Sequence, residues 1–270
     1  MGKYLIADAV WEFNFPKEFN KSNFEAFKTD ELESAIHKIS FEFVEKIEKL
    51  KETNHEELGL KMYVEDGIKL FDILDQHKKA IVRGKYVETK NSSTYQILKG
   101  EDINLINMLS FMRLAEVISS KSVIAINAYA LSMADKALIA IHENVDLFVN
   151  KWLEEIDNKA LFSNNKLFLK IENNLVKVYS NPWSKNQDIS NVALPLHSII
   201  VLSKGKKDKF EELEEKEKLL TLALHLGIMT DTLSNEELMR FCMEIADLVN
   251  IFKYQGEINI KEIFNKIYFN

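Results

Sequence analysis

Glycine is scarce in this chain, and its scarcity restricts the loops that the chain can build. The 270 residues include eight glycines, fewer than half of what a typical usage of about 7% would give. No glycine occurs between Gly100 and Gly205. Loops that wrap phosphate groups need left-handed backbone conformations and residues without bulky side chains near the ligand. The sequence therefore predicts that this long stretch has no glycine-lined phosphate loop.

Composition and charge exclude several classes of protein. Hydrophobic residues make up 46% and charged residues 29% of the chain, which is typical of a folded globular protein. The formal net charge of -7 repels phosphate backbones, so we expect no nucleic-acid partner. Cys242 is the single cysteine, which excludes an intramolecular disulfide and a cysteine metal cluster. Its apolar helical surroundings predict a small buried side chain.

The first fifteen residues, MGKYLIADAVWEFNF, do not have the pattern of a signal peptide. Asp8 and Glu12 interrupt the apolar stretch, whereas a signal peptide needs a continuous apolar region. No later apolar run approaches the roughly 20 residues that a membrane span requires. We therefore expect a cytoplasmic protein without a membrane partner.

Hydrophobic periodicity predicts an α+β arrangement in the first hundred residues. Residues 3–15 alternate as a strand, and Asp30 with Glu33 forms a capping pair before a helix. The apolar positions of that helix recur about every 3.5 residues: Leu32, Ile36, Ile39, Phe43, Ile47 and Leu50. Short strands and turns follow over residues 58–99. Residues 103–118 are apolar around most of the circumference, which predicts a buried helix.

The remaining residues predict a sheet with helices. Residues 122–131 and 136–143 read as strands around a turn, and residues 144–157 as an amphipathic helix. Later strands are predicted from the runs KALFS, KLFLKIE, NLVKVYS and SIIVLS, and helices over residues 208–226 and 235–253. We expect an N-terminal α+β portion over residues 1–100 and a core with C-terminal helices over residues 101–270, unless both form one compact unit.

One segment resembles a known family. Ser180-Asn181-Pro182-Trp183-Ser184, followed by residues 194–202 (LPLHSIIVL), resembles the Pro-Trp element and Pro-Leu strand of HPr kinase-like proteins. That family shares its core with phosphoenolpyruvate carboxykinases, and the resemblance covers roughly residues 120–205. It implies an α/β fold with an HPr kinase-like mixed β-sheet core flanked by helices.

The same resemblance implies that the family's nucleotide site is degenerate here. Family members carry a strand histidine, a P-loop of pattern G-x-x-x-x-G-K-[ST] and an acidic pair, and they use ATP and Mg²⁺. At the matching positions this chain has amides, acids and bulky residues: Asn127, His142, Glu143, Asn144, Val145, Asp146, Asn164 and Asn165. We therefore expect neither catalytic residues nor a cofactor.

Other interpretations of these residues remain open. His142, Glu143 and Asp146 have a spacing that can hold a metal on a helix, but a polar helix start with Asn144 as N-cap is favoured, so no metal is expected. Trp183 and His197 are candidate partner-binding residues. The alternative for Trp183 is a core anchor, and for His197 a structural role at a strand start.

These observations predict a non-catalytic, pseudokinase-like interaction or scaffold protein that binds a protein or peptide. One alternative is an active, atypical serine kinase of a small protein or peptide. Another is a structural subunit of a homo- or hetero-oligomer.

Overall fold

A computed structural model describes most of the chain. The described residues are 1–31, 33–48, 55–57, 59–65, 67–119, 123–133, 135–141, 145–155, 159–163, 166–183, 190–205, 208–225 and 235–268. The chain divides into two compact units, Met1–Phe111 and Met112–Asn270. Each unit has its own sheet, and the helix α2 (Asn104–Ser119) runs across the division.

The sheet of the first unit is mixed. Its strands in the described residues are β1 Gly2–Ile6, β2 Ala9–Asn14, β3 His37–Val44, β4 His55–Glu57, β5 Leu60–Glu65, β6 Ile68–Leu74, β7 Ala80–Val87 and β8 Ser92–Leu98. They lie in the order β1-β2-β3-β8-β7-β6-β5-β4, and a short helix, α1 (Ser22–Glu25), follows β2. The pairs β2–β3 and β3–β8 are parallel, and the other neighbours are antiparallel.

The prediction of one continuous strand over residues 3–15 is wrong. The segment is a hairpin of β1 and β2, in which Ile6 pairs with Ala9 across a two-residue turn. Ala7 and Asp8 both have positive φ, 51° and 58°, as the tight turns that match strand twist require. The reversal lets both halves of the apolar stretch pair with each other.

The helix predicted after Asp30 and Glu33 is also wrong, because residues 37–44 form the strand β3. Inside the sheet, His37, Ile39 and Phe41 are buried and alternate with Lys38 and Glu42, which are exposed. The positions Ile39 and Phe43 fit both a helical and an alternating pattern. Pairing with β2 and β8 on either side decides between the two.

The strand-and-turn pattern predicted over residues 58–99 is confirmed by β5 to β8. The buried helix predicted over residues 103–118 is confirmed by α2, although Met108 and Met112 remain exposed. Gly67, between β5 and β6, has a φ of 73°.

The second unit has a mixed sheet with helices on both faces. Its described strands are β9 Val123–Ile126, β10 Tyr129–Met133, β11 Lys136–Ile141, β12 Lys159–Ser163, β13 Leu167–Glu172, β14 Leu175–Tyr179, β15 Ala193–Ser203, β16 Lys209–Glu212 and β17 Asn250–Gln255. The helices are α3 Val145–Glu155, α4 Glu215–His225, α5 Asn235–Leu248 and α6 Ile260–Tyr268. The strand order is β12-β10-β11-β15-β14-β13-β9, and β17 pairs with β15 and β16.

Alternate residues of the central strands face opposite helix layers. Ile139 and Ile199 belong to a core cluster with α4 and α5. Leu138 and Ile200 belong to a second cluster with α3 and α6. The predicted fold class, α/β with a mixed sheet flanked by helices, is confirmed.

The C-terminal elements are only partly as predicted. The helix expected over residues 208–226 begins at Glu215, after the strand β16, and the helix expected over residues 235–253 ends at Leu248. The strand β17 and the helix α6 follow, and neither is predicted from the sequence. The helix α3 and the strands β9 to β15 lie close to their predicted positions, except that Asn127 and Ala128 separate β9 from β10. Among the described residues, no helix has the length and hydrophobicity needed to span a membrane.

Candidate functional site

The central strand β15 has an irregularity at His197. Ala137 of β11 lies opposite Leu196, but the next residue, Leu138, lies opposite Ser198. His197 is therefore the extra residue of a β-bulge, which changes the direction of side chains in a strand. Before the bulge Leu196 packs on the α4/α5 side, and after it Ile200 packs on the α3/α6 side.

The bulge places His197 against helix α6. Its ring centroid lies 4.4 Å from that of Tyr268, and its Nδ1 lies 3.3 Å from the Ser198 hydroxyl. Burial, with a smaller contribution from the positive charge of Lys136, lowers the pKa of His197 below its usual value. The imidazole is therefore neutral at neutral pH, with one nitrogen as donor and the other as acceptor.

Two buried donors lie in the same aromatic cluster. The Tyr268 hydroxyl and the Trp152 Nε1 have no hydrogen-bond partner within the described part of the chain. The ring of Phe264 contacts both, with centroid distances of 4.9 Å to Tyr268 and 6.1 Å to Trp152. Burial raises the pKa of Tyr268 to about 12. These neutral groups can donate to a polar acceptor, but they supply no positive charge for a phosphate.

Asp146, in the first turn of α3, already accepts a hydrogen bond. The Tyr129 hydroxyl donates to Asp146 Oδ1 at 2.6 Å. Burial first, and then the hydrogen bond and charge of Asp146, raise the pKa of Tyr129 to about 12. A carboxylate here complements the partial positive charge of the helix N-terminus. The adjacent Val145 packs against the α3/α6 cluster.

Most of the other residues predicted for the degenerate nucleotide site lie outside the described part of the chain. His142, Glu143, Asn144, Asn164 and Asn165 lie outside the described residues, so their roles stay predictions. Asn127 is exposed between β9 and β10, and its backbone N–H donates to the carbonyl of His225 at 3.1 Å. Tyr129, two residues later, connects this region to Asp146.

Trp183 lies in a well-connected turn after β14. Its backbone N–H donates to Asn181 Oδ1 at 3.0 Å, and the Asn181 amide donates to the carbonyl of Lys166. The indole ring meets Phe168 edge-on, with centroids 6.2 Å apart. Trp183 is half-buried against β13, whereas His197 contacts α6. The two candidate partner-binding residues thus contact different elements.

An exposed apolar surface on α4 and α5 was not found from the sequence. We call Leu220, Leu224, Met239 and Met243 the α4/α5 surface. The exposed fractions are 62% and 72% for the leucines and 40% and 50% for the methionines. Each pair is spaced by four residues, so its members share a helix face. This spacing is the signal in the sequence that could have identified the surface.

The described residues contain neither a candidate metal site nor a reactive cysteine. No group of three or more His, Cys, Asp or Glu side chains there is arranged to hold a metal. Cys242 is buried, as predicted, and burial raises the pKa of its thiol to about 11, so the reactive thiolate is scarce at neutral pH.

Comparisons with known proteins give structural similarity but no family. No protein-family model and no curated protein match this chain. A solved structure, the Hpr(Ser) kinase/phosphatase from Coxiella burnetii, is similar over 52% of this chain and 89% of its own, with 11% identity and a TM-score of 0.28. Because this TM-score is low, the similarity does not assign the chain to that family.

Proposed function

We propose that this protein is a non-catalytic, pseudokinase-like interaction protein with an HPr kinase-like core, which binds a protein or peptide partner. The observation that carries the proposal is the α4/α5 surface, where four large apolar side chains remain exposed. Burying a leucine or methionine side chain contributes about 1.5–3 kcal/mol. A partner that covered all four would gain enough to offset much of the cost of association.

The chemistry of this surface favours an amphipathic segment with basic residues. Methionine side chains adapt to irregular partners because they are flexible and polarisable. The helix α5 also exposes more acids than bases: Glu236, Glu237, Glu244 and Asp247 against Arg240. Lysines or arginines flanking an apolar stripe on the partner would complement these carboxylates.

The start of α3 supports the non-catalytic part of the proposal. A helix N-terminus after a parallel strand is a common phosphate site. Here Asp146 occupies the first turn and accepts a hydrogen bond from Tyr129, so a phosphate would meet a fixed negative charge. We accordingly expect no ATP or Mg²⁺ cofactor.

A photo-crosslinking amino acid at Lys216 or Arg240, both beside the α4/α5 surface on the same helices, tests the partner hypothesis in the native host. We expect one crosslinked protein or peptide, which is lost in the double variant Leu224→Glu with Met243→Glu. Leu175→Glu is the matched control, because Leu175 is also 54% exposed but lies in the β13–β14 hairpin. Equal crosslinking in both variants would contradict the proposal.

Two solution measurements separate the alternatives. Sedimentation equilibrium of the wild type and the double variant distinguishes a partner of another kind from a second copy of this chain. Isothermal titration with Mg-ATP is expected to give no heat of binding. Saturable binding of Mg-ATP would instead support an active phosphotransferase.

A further inference from the structure

The first unit contains a pocket that the proposed function does not use. Its volume is about 470 Å³, within the range of small-molecule sites. It lies between the start of β1, the end of β2 and the segment after Pro16. The residues that matter for its chemistry are Gly2, Tyr4, Phe15, Lys17, Phe19 and Lys21.

Aromatic rings form the apolar part of this pocket. Phe15 stacks on Phe19 with centroids 4.7 Å apart and on Phe13 at 5.1 Å. Phe24 supports Phe15 from behind, edge-to-face at 4.8 Å. Phe15 remains half-buried although its neighbours Phe13 and Phe24 are fully buried. The rings thus form a rigid apolar wall against which a planar ring can pack.

A tyrosine also lines the pocket. Tyr4 is only 2% exposed, and its hydroxyl makes no hydrogen bond to a described residue. Burial, and secondarily the charge of Glu25, raise its pKa, so it stays a neutral donor. Gly2 makes this position possible, because a β-carbon there would lie 2.9 Å from the Tyr4 hydroxyl oxygen. The hydroxyl oxygen is not among the fully buried unsatisfied atoms of the described residues, so it is accessible and can donate to an acceptor on a ligand.

Two lysines give the pocket its charge. Lys17 and Lys21 are exposed and line it, and neither forms an ion pair with a described residue. Some other exposed lysines of this unit do form ion pairs, as in Lys38–Glu12 at 3.1 Å. Glu18 lies between the two lysines in sequence but does not line the pocket. The pocket therefore favours an anion.

We propose that this pocket binds a small planar aromatic molecule that carries one anionic group, a carboxylate or a phosphate. The ring packs against Phe15 and Phe19, the anionic group lies near Lys17 and Lys21, and the Tyr4 hydroxyl donates to an oxygen of the ligand. The inference is independent of the α4/α5 surface.

The test compares matched probes on the full chain, with any tag placed after residue 270. Titration calorimetry with 2-naphthoate is set against uncharged 2-naphthamide, and 2-naphthyl phosphate distinguishes the two anionic groups. We expect at least one anion to bind about tenfold more tightly than the amide, as for a charge-assisted contact of about 1.4 kcal/mol. No binding, or equal binding of all three probes, would overturn the proposal.

Variants locate the site. Lys17→Ala with Lys21→Ala is expected to remove the preference for the anion and leave amide binding unchanged. The control is Lys85→Ala with Lys90→Ala, two exposed lysines of the same unit outside the pocket. Tyr4→Phe and Gly2→Ala are each expected to weaken anion binding about fivefold by removing or displacing one hydroxyl donor, with thermal melts confirming that both variants fold. An equal loss in the lysine control would show that binding lies elsewhere.

Discussion

The two sheets bury different kinds of side chain. In the second unit, every residue of β9 and every residue of β11 after the exposed Lys136 is apolar and buried. In the first unit, β3 and β7 alternate between buried and less buried positions. Polar groups are buried there in pairs: Asp72 with Arg83 at 2.7 and 2.8 Å, and His37 with Ser93 at 2.9 Å.

The difference follows from what covers each sheet. A sheet with helices on both faces must be apolar on both faces, so its strands read as continuous hydrophobic runs. Such runs pack well but specify their register weakly. Paired polar groups on neighbouring strands, such as Asp72 directly opposite Arg83, fix the register because any slip leaves both charges unpaired. The first sheet is thus aligned by polar pairs, and the second by packing.

The largest effect is expected from packing in the second unit. Phe148 is fully buried in α3, and the neighbouring Leu147 is 53% exposed. Phe148→Ala should lower the free energy of unfolding by about 3–5 kcal/mol because it leaves a cavity. Leu147→Ala should change it by less than about 0.5 kcal/mol. Urea denaturation measures both, and similar losses in the two variants would contradict the packing account.

The next effect concerns the polar pair of the first unit. Asp72→Ala should destabilise that unit by about 3 kcal/mol because it removes the carboxylate that pairs with Arg83, whose side chain is only 22% exposed. The hydrogen bond from Arg83 to the Glu48 carbonyl remains. Hydrogen exchange monitored by mass spectrometry assigns the loss to the first unit. The double variant Asp72→Val with Arg83→Val should lose less stability than Asp72→Ala. If the double variant loses more stability than Asp72→Ala, the pair stabilises the unit through side-chain packing rather than through charge.

Smaller effects are expected at two tyrosines of the second unit, and the two have opposite signs. Tyr268→Phe removes a buried hydroxyl without a partner among the described residues, so it should raise the free energy of unfolding by about 1 kcal/mol. Tyr129→Phe removes the hydrogen bond to Asp146 and should lower it by about 1 kcal/mol. Thermal melts at pH 7 compare the two. A loss in Tyr268→Phe would show that its hydroxyl has a partner.

The last effect appears only at alkaline pH. The pKa of Tyr129, Tyr254 and Tyr268 is raised to about 12, against about 10 in the unfolded chain. Between these values the unfolded chain releases the protons first, so stability is complete below pH 10 and falls as the pH rises toward 12. Urea midpoints across this range should decline less steeply in Tyr268→Phe than in the wild type. Equal slopes would argue against titration of Tyr268.

Much of the second unit could be predicted from the sequence because its elements are strongly patterned. The continuous apolar runs of β9 and β11, the apolar residues 199–202 of β15 and the amphipathic stripe of α3 each favour one kind of structure. The strand β17 was missed because it follows α5 directly and its place beside β15 depends on a pairing across about 50 residues, Ser198 with Asn250. Local patterns do not contain such pairings.

The first unit was harder to predict because its patterns are ambiguous. Ile39 and Phe43 fit a helix as well as a strand, and the turn at Ala7 and Asp8 has neither glycine nor asparagine. The candidate site shows the same limit. The sequence singles out His197, but the bulge that turns it toward Tyr268 depends on the register between β11 and β15. The expected loss of a nucleotide site rests largely on residues outside the described part and stays a prediction.

The position of β15 has a consequence for synthesis of the chain. Both of its edges are occupied by partners that are remote in sequence, with Leu138 on one side and Asn250 on the other of Ser198. Until residues 250–255 leave the ribosome, residues 198–203 of β15 have no strand beside them on the edge that β17 later occupies. Unpaired apolar edges recruit other chains. Nascent chains that stall before β17 should therefore depend on chaperones far more than finished ones.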